Sequence, residues 1–90
     1  MKVIKVKSLR GYRIDVSFED GVNGIIDLTE LVKKGIFQEL RDEILFSNVY
    51  TTGYSIAWSE ELEIDALTIY AELLGKSPEE VFQSPHYASN

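Results

Sequence analysis

Strict two-residue alternation governs the first quarter of the chain. Tyr12, Ile14, Val16 and Phe18 alternate with Arg13, Asp15, Ser17 and Glu19, which puts the apolar set on one face of a half-buried strand. Ile4 and Val6 alternate in the same way with Lys5 and Lys7, and Arg10-Gly11 supplies the turn between the two strands. Glu19-Asp20-Gly21 is a strong hairpin signal, because Asp-Gly tolerates the positive φ that tight hairpin turns require. A third strand then runs from Val22 to about Ile26, and Gly24 inside it predicts a bulge or a close backbone approach.

The spacing then lengthens. Asp27 and Glu30 have the separation of a capping box, with Asp27 as N-cap, and Gly35 closes the turn or two of helix that carries Leu31 and Val32. Phe37, Leu40, Leu45 and Phe46 anchor an irregular or short helical stretch, within which Asp42 is a second N-cap. Residues 49–51 and 54–58, rich in β-branched and aromatic side chains, read as a second hairpin around Thr52-Gly53. From Asp65, the residues Ala66, Leu67, Ile69, Tyr70, Leu73 and Leu74 recur at helical steps up to Gly75. Ser77-Pro78-Glu79-Glu80 then opens a short helix through Phe82, and residues 84–90 read as a frayed tail. The expectation is an α+β domain over residues 1–83: β-β-β, short helices, β-β, then a C-terminal helix. Both hairpins are expected in one antiparallel sheet, with that helix packed on one face.

Composition narrows the function more than the fold. Ninety residues leave no room for two cores, and 44% hydrophobic content with ten aromatics is that of a folded chain. No cysteine is present, so neither disulfides nor thiolate metal sites supplement the core. No apolar stretch approaches the roughly 20 residues that span a bilayer. Lys2, Lys5 and Lys7 are not followed by the apolar region of a signal peptide, so a cytoplasmic location and no membrane partner are expected.

The net charge of -6 argues against direct nucleic-acid binding, which needs a basic face. The charge is also unevenly spread: +4 over residues 1–18, -4 over 19–58 and -6 over 59–90. A basic N-terminal strand pair and an acidic C-terminal third speak to association and steering.

Candidate chemistry is sparse. His86 lies in the expected tail, there is no cysteine nucleophile, and no serine sits in a nucleophile-elbow context. No catalytic residue, cofactor or metal site is expected. Glu61, Glu63 and Asp65 recur at two-residue spacing, which on a strand aligns three carboxylates, but three neighbours on one strand converge poorly on one ion. Asp65 is better spent as a helix cap. Lys5, Lys7 and Arg13 share an outward strand face that reads as solvated charge guarding a sheet edge. Residues 71–81 echo part of a helix-turn-helix, but an acidic neighbourhood and the lack of a basic recognition helix set that aside. Tyr12 and Trp58 are assigned to the core. The remaining exposed aromatic and acidic positions, Tyr50, Tyr54, Glu60, Glu61, Glu63 and Glu72, form the candidate interface.

Several of these motifs, taken in order, resemble a small bacterial family, the domain of unknown function 2442. The matching pieces are Phe18-Glu19-Asp20-Gly21, Asp27-Leu28, the set Phe37, Leu40, Asp42, Leu45 and Phe46, then Trp58, Glu63-Ile64-Asp65 and Tyr70. The likeness runs from about residue 3 to residue 74, and Trp58-Ser59-Glu60-Glu61 departs from the family's usual W-P-N-G. The resemblance implies interaction over catalysis, since some members are fused to a helix-turn-helix and others are antitoxin-like. The leading expectation is a non-enzymatic protein-interaction module with a basic protein partner. A small-molecule-binding or regulatory domain working beside a DNA-binding module is the alternative, and homo-oligomerisation is left open.

Overall fold

The computed structural model describes residues 2–75. The first three strands are β1 (Val3–Leu9), β2 (Arg13–Phe18) and β3 (Asn23–Asp27), joined as an antiparallel meander in the order β1-β2-β3. Their alternation is the one read above: Ile14, Val16 and Phe18 face the core while Arg13 and Asp15 face out. The β2–β3 loop is Glu19-Asp20-Gly21. The Gly21 N–H donates to the Phe18 carbonyl (3.0 Å), and only Gly21, at φ +93, leaves the right-handed region. This is the three-residue hairpin loop that ends on a left-handed glycine.

Gly24 causes no bulge. It pairs regularly with Val16, and a Cβ there would lie 2.7 Å from the Leu73 Cδ2 atom, so of the two expected outcomes close approach is the one realised. The irregularity falls instead in β1, between Val3 and Lys5, where Ile4 is 64% exposed.

The Asp27–Glu30 capping box does not form. Asp27 ends β3 and its carboxylate accepts from the Thr29 N–H (2.8 Å) and the Thr29 hydroxyl (2.5 Å), closing a turn that delays the helix. A 3-10 turn, Leu31–Lys33, follows, and Glu30 pairs with Lys33 (3.0 Å) instead of reaching back to the cap. Gly35, at φ +48, ends it as expected. A second 3-10 segment, Gly35–Arg41, inserts Leu40 into the core. Helix α1 (Glu43–Ser47) starts on Asp42, which accepts from the Ile44 and Leu45 N–H groups.

The second hairpin is β4 (Tyr50–Thr51) and β5 (Ser55–Ala57), and a third strand missed in the sequence, β6 (Glu63–Asp65), pairs with β5. Gly53, at φ +96, takes the first central position of the two-residue loop, as the type II′ class requires. Helix α2 (Ala66–Leu73) follows at once, with Asp65 as the side-chain cap, accepting from the Leu67 N–H (3.0 Å). The expected helix from Asp65 to Leu74 is therefore present, cap included.

The single expected sheet is two. β4-β5-β6 forms a separate antiparallel sheet, and β4 runs beside the open edge of β1. Among the described residues one backbone bond joins them there, the Val3 N–H to the Gly53 carbonyl (2.8 Å). The irregularity at Ile4 breaks the β1 ladder, and the Thr51 hydroxyl, which accepts from the Gly53 N–H and donates to the Ser55 carbonyl, satisfies groups locally instead of across the seam. Helix α2 spans the two sheets, packing on β3 of one and on β5 and β6 of the other. One hydrophobic cluster results, drawing Ile14, Val16 and Phe18 from the first sheet, Ile56 from the second and Ile69 from α2. The expected helix at Ser77-Pro78, the tail at 84–90, His86 and the end of the helix-turn-helix echo lie outside the described residues.

Candidate functional site

Sheet register decides which of the predicted interface residues meet. Tyr50 is opposite Ala57, and Ala57 is opposite Glu63, so the tyrosine and the glutamate flank a buried alanine on one face of the second sheet. The other face carries Thr51, Ile56 and Ile64 toward the core. Tyr50 and Glu63 are both exposed. Glu60 and Glu61 sit in the β5–β6 turn just beyond this face, also exposed. That turn is built by the Trp58 N–H donating to the Leu62 carbonyl (2.8 Å) and by the Ser59 hydroxyl accepting from the Leu62 N–H (3.2 Å). Two of the six candidates thus share one face, and two more lie in the adjoining turn.

Tyr54 and Glu72 do not join it. Tyr54 lies in the loop at the opposite end of β5, with the Lys2 ammonium 5.5 Å from its ring centre. Glu72 is in the last turn of α2, about 10 Å along the helix axis from its N-terminus at 1.5 Å per residue. Among the described residues Glu30–Lys33 is the ion pair within 4.0 Å, so Glu60, Glu61, Glu63 and Glu72 are unpartnered by any described cation.

The carboxylate row Glu61, Glu63 and Asp65 does not converge. Asp65 is committed to the α2 N-cap, and no metal-holding group of three acidic, histidine or cysteine side chains occurs among the described residues. The basic face is also less basic than its residues suggest. Lys7 sits opposite Asp15 in the β1–β2 register, and the Arg13 Nε folds back to the Arg10 carbonyl (2.9 Å).

A second feature has no counterpart in the sequence reading. An open cleft of about 650 Å³ lies between the β1–β2 turn and α1, walled by Ser8, Arg10 and Tyr12 on one side and Glu43, Phe46 and Ser47 on the other. Tyr12, read above as a strand residue in the core, is half-buried in this turn with φ +57. A left-handed backbone costs a non-glycine residue about 1–2 kcal/mol. It is held there by the Tyr12 hydroxyl donating to the Arg41 carbonyl (2.6 Å), by the Leu28 N–H donating to the Tyr12 carbonyl (2.7 Å), and by edge-on packing against Phe46. Only the adjacent Gly11, at φ +76, hinted at a left-handed turn.

Two antiparallel three-stranded sheets bridged by a C-terminal helix, with an acidic, tyrosine-bearing outer face, define a small α+β domain. The chain belongs to the family described as "Protein of unknown function (DUF2442)", whose model matches residues 3–75. Neither the curated proteins nor the solved structures provide a match. The family-like residues do structural work here. Leu28, Leu40, Phe46 and Trp58 are core, Asp42 and Asp65 cap helices, and the Tyr70 hydroxyl donates to Asp20 (2.6 Å).

Proposed function

We infer that this chain is a non-enzymatic protein-interaction module of the cytoplasm, acting on a basic protein partner in the manner of an antitoxin. One observation carries the reading: Tyr50 and Glu63 share an outward sheet face, with Glu60 and Glu61 in the adjoining turn and no described cation answering them. Tyrosine supplies amphipathic contact area, and unanswered carboxylates steer a basic surface toward it. Glu72 adds to the field from α2 without belonging to the contact. Direct nucleic-acid binding is disfavoured by the same charge. Affinity capture from the native cell extract, followed by mass spectrometry, tests this. A basic protein retained by the chain and released by the double variant Glu60→Lys/Glu61→Lys is the expected result. Capture that ignores the charge reversal would move the interface elsewhere.

The cleft favours a second reading, a small-molecule-binding or regulatory domain working beside a DNA-binding module. Its volume suits a small ligand, and strained backbone such as that of Tyr12 concentrates at functional sites. Amide chemical shifts that move at Ser8, Tyr12 and Phe46 on addition of a metabolite extract would favour it over the first.

A further inference from the structure

The hydrogen-bond alternation of the first sheet leaves one edge open. The Phe18 N–H bonds the Val22 carbonyl and the Leu28 N–H bonds the Tyr12 carbonyl. Between these fixed points the β2–β3 ladder must alternate, so Gly24 and Ile26 bond to β2 while the backbone groups of Asn23, Ile25 and Asp27 point away from it. No described backbone group answers them. All three side chains are exposed, and Ile25 keeps 54% of its surface in solvent. An isoleucine at the middle of an unpaired, unbulged edge runs against the usual protection of edge strands by charge, proline or a bulge.

We propose that this edge pairs with β3 of a second copy of the chain, antiparallel, with the two-fold axis passing through Ile25. In that register Ile25 faces Ile25 of the copy and Asn23 faces Asp27 in both directions. Every outward N–H and C=O of the three residues then finds a partner. The side chains agree with the backbone: an apolar pair occupies the centre, and an amide that can donate meets a carboxylate on each flank. Sliding the copy by two residues destroys this. One direction sets Ile25 against Asp27 and the other sets Ile25 against Asn23, so the apolar pair at the centre is lost either way. The interface is isologous, so it closes at two chains and leaves the Tyr50–Glu63 face untouched. A three-residue ladder is small, and each copy carries a net charge of -6, so the association belongs to the weak, transient class and strengthens with salt.

Sedimentation of the intact chain from micromolar to millimolar concentration, at low and high salt, reads the association. Dimer that grows with concentration and salt is expected. Ile25→Lys should weaken it at least about tenfold by placing like charges across the axis, with an unchanged melting temperature in dilute solution. Cysteine cross-linking fixes the register, because the chain has no native cysteine. Cα atoms of a bonded antiparallel pair are about 5.5 Å apart, inside the disulfide range. Ile25→Cys should therefore oxidise to a linked dimer much faster than Asn23→Cys, whose copies stand about 14 Å apart along the strands. A chain that stays monomeric throughout, a dimer indifferent to Ile25→Lys, or equal cross-linking of the two cysteine variants would each overturn the proposal.

Discussion

At the scale of single residues, two side chains tie distant segments together. Trp58 is 6% exposed, its indole N–H donates to the Phe46 carbonyl (2.9 Å), and its ring packs 5.7 Å from that of Phe46. It thereby fastens the second sheet to α1. Trp58→Ala removes both the ring and the bond that satisfies a buried carbonyl. A loss of about 3–5 kcal/mol is expected by chemical denaturation, a large share of the stability of a domain this small. The Asp20–Tyr70 contact joins the β2–β3 turn to α2 across fifty positions of sequence. The Tyr70 hydroxyl first, and the Val22 N–H second, hold the Asp20 carboxyl below its ordinary value of 3.8. A depressed folded-state pKa means that the unfolded chain binds the proton more readily. The stabilisation is therefore fully present above 3.8 and is lost as pH falls through the folded value. Tyr70→Phe should melt lower than the parent near neutral pH by a constant margin, and that margin should narrow in the acid range. Because the ring that packs on Phe18 is kept in the variant, a margin independent of pH would mean that the hydroxyl acts without the Asp20 carboxylate.

At the scale of elements, helix starts are set by aspartates that also end the preceding segment. Asp65 closes β6 and opens α2 in one residue, so a single carboxylate fixes where strand pairing stops. Asp65→Ala should cost about 1 kcal/mol, the usual worth of an N-cap, with the loss seen as faster amide exchange in the first turn of α2. The far end of α2 is placed by a different device. Gly24 lets Leu73 approach β3 to a distance that any Cβ would contest. Gly24→Ala pushes against the flexible tip of Leu73 instead of backbone, so a loss of about 1–3 kcal/mol is expected by thermal or chemical melting.

For the whole molecule, the question is how charge is distributed over two sheets that share a seam. The first sheet's outer face mixes lysines with Asp15, while the second presents unanswered acids beside Tyr50. Glu60→Lys/Glu61→Lys alters only exposed turn positions, so stability should move by less than about 0.5 kcal/mol per site. Association with a captured partner should slow markedly at low salt and far less at high salt, where screening shortens the reach of the field. Stopped-flow rates at two ionic strengths on the parent and the variant make the comparison. Equal rates in all four cases would reduce the acidic face to a solubility feature.

Elements whose signals are local were legible in the residues alone. The β2 alternation, the Asp20-Gly21 loop, the Asp42 and Asp65 caps and the span of α2 all depend on neighbours within about one turn of chain, where side-chain period and capping chemistry act. The burial of Trp58 followed from its aromatic bulk and strand setting. The Asp27–Glu30 box failed because the Thr29 hydroxyl joins the Thr29 N–H on the Asp27 carboxylate, closing a local turn, while Glu30 pairs with Lys33 instead of reaching back. β6 was hidden because three residues, two of them acidic, carry too little apolar alternation to read as a strand. What tertiary structure alone decided is what depends on long-range register: that the strands divide at the β1–β4 seam, that Tyr50 and Glu63 meet across Ala57 while Tyr54 and Glu72 stay apart, and that Tyr12 is forced left-handed to wall a cleft. Each of these is set by hydrogen bonds and packing between segments far apart in sequence, whose energies no local pattern records.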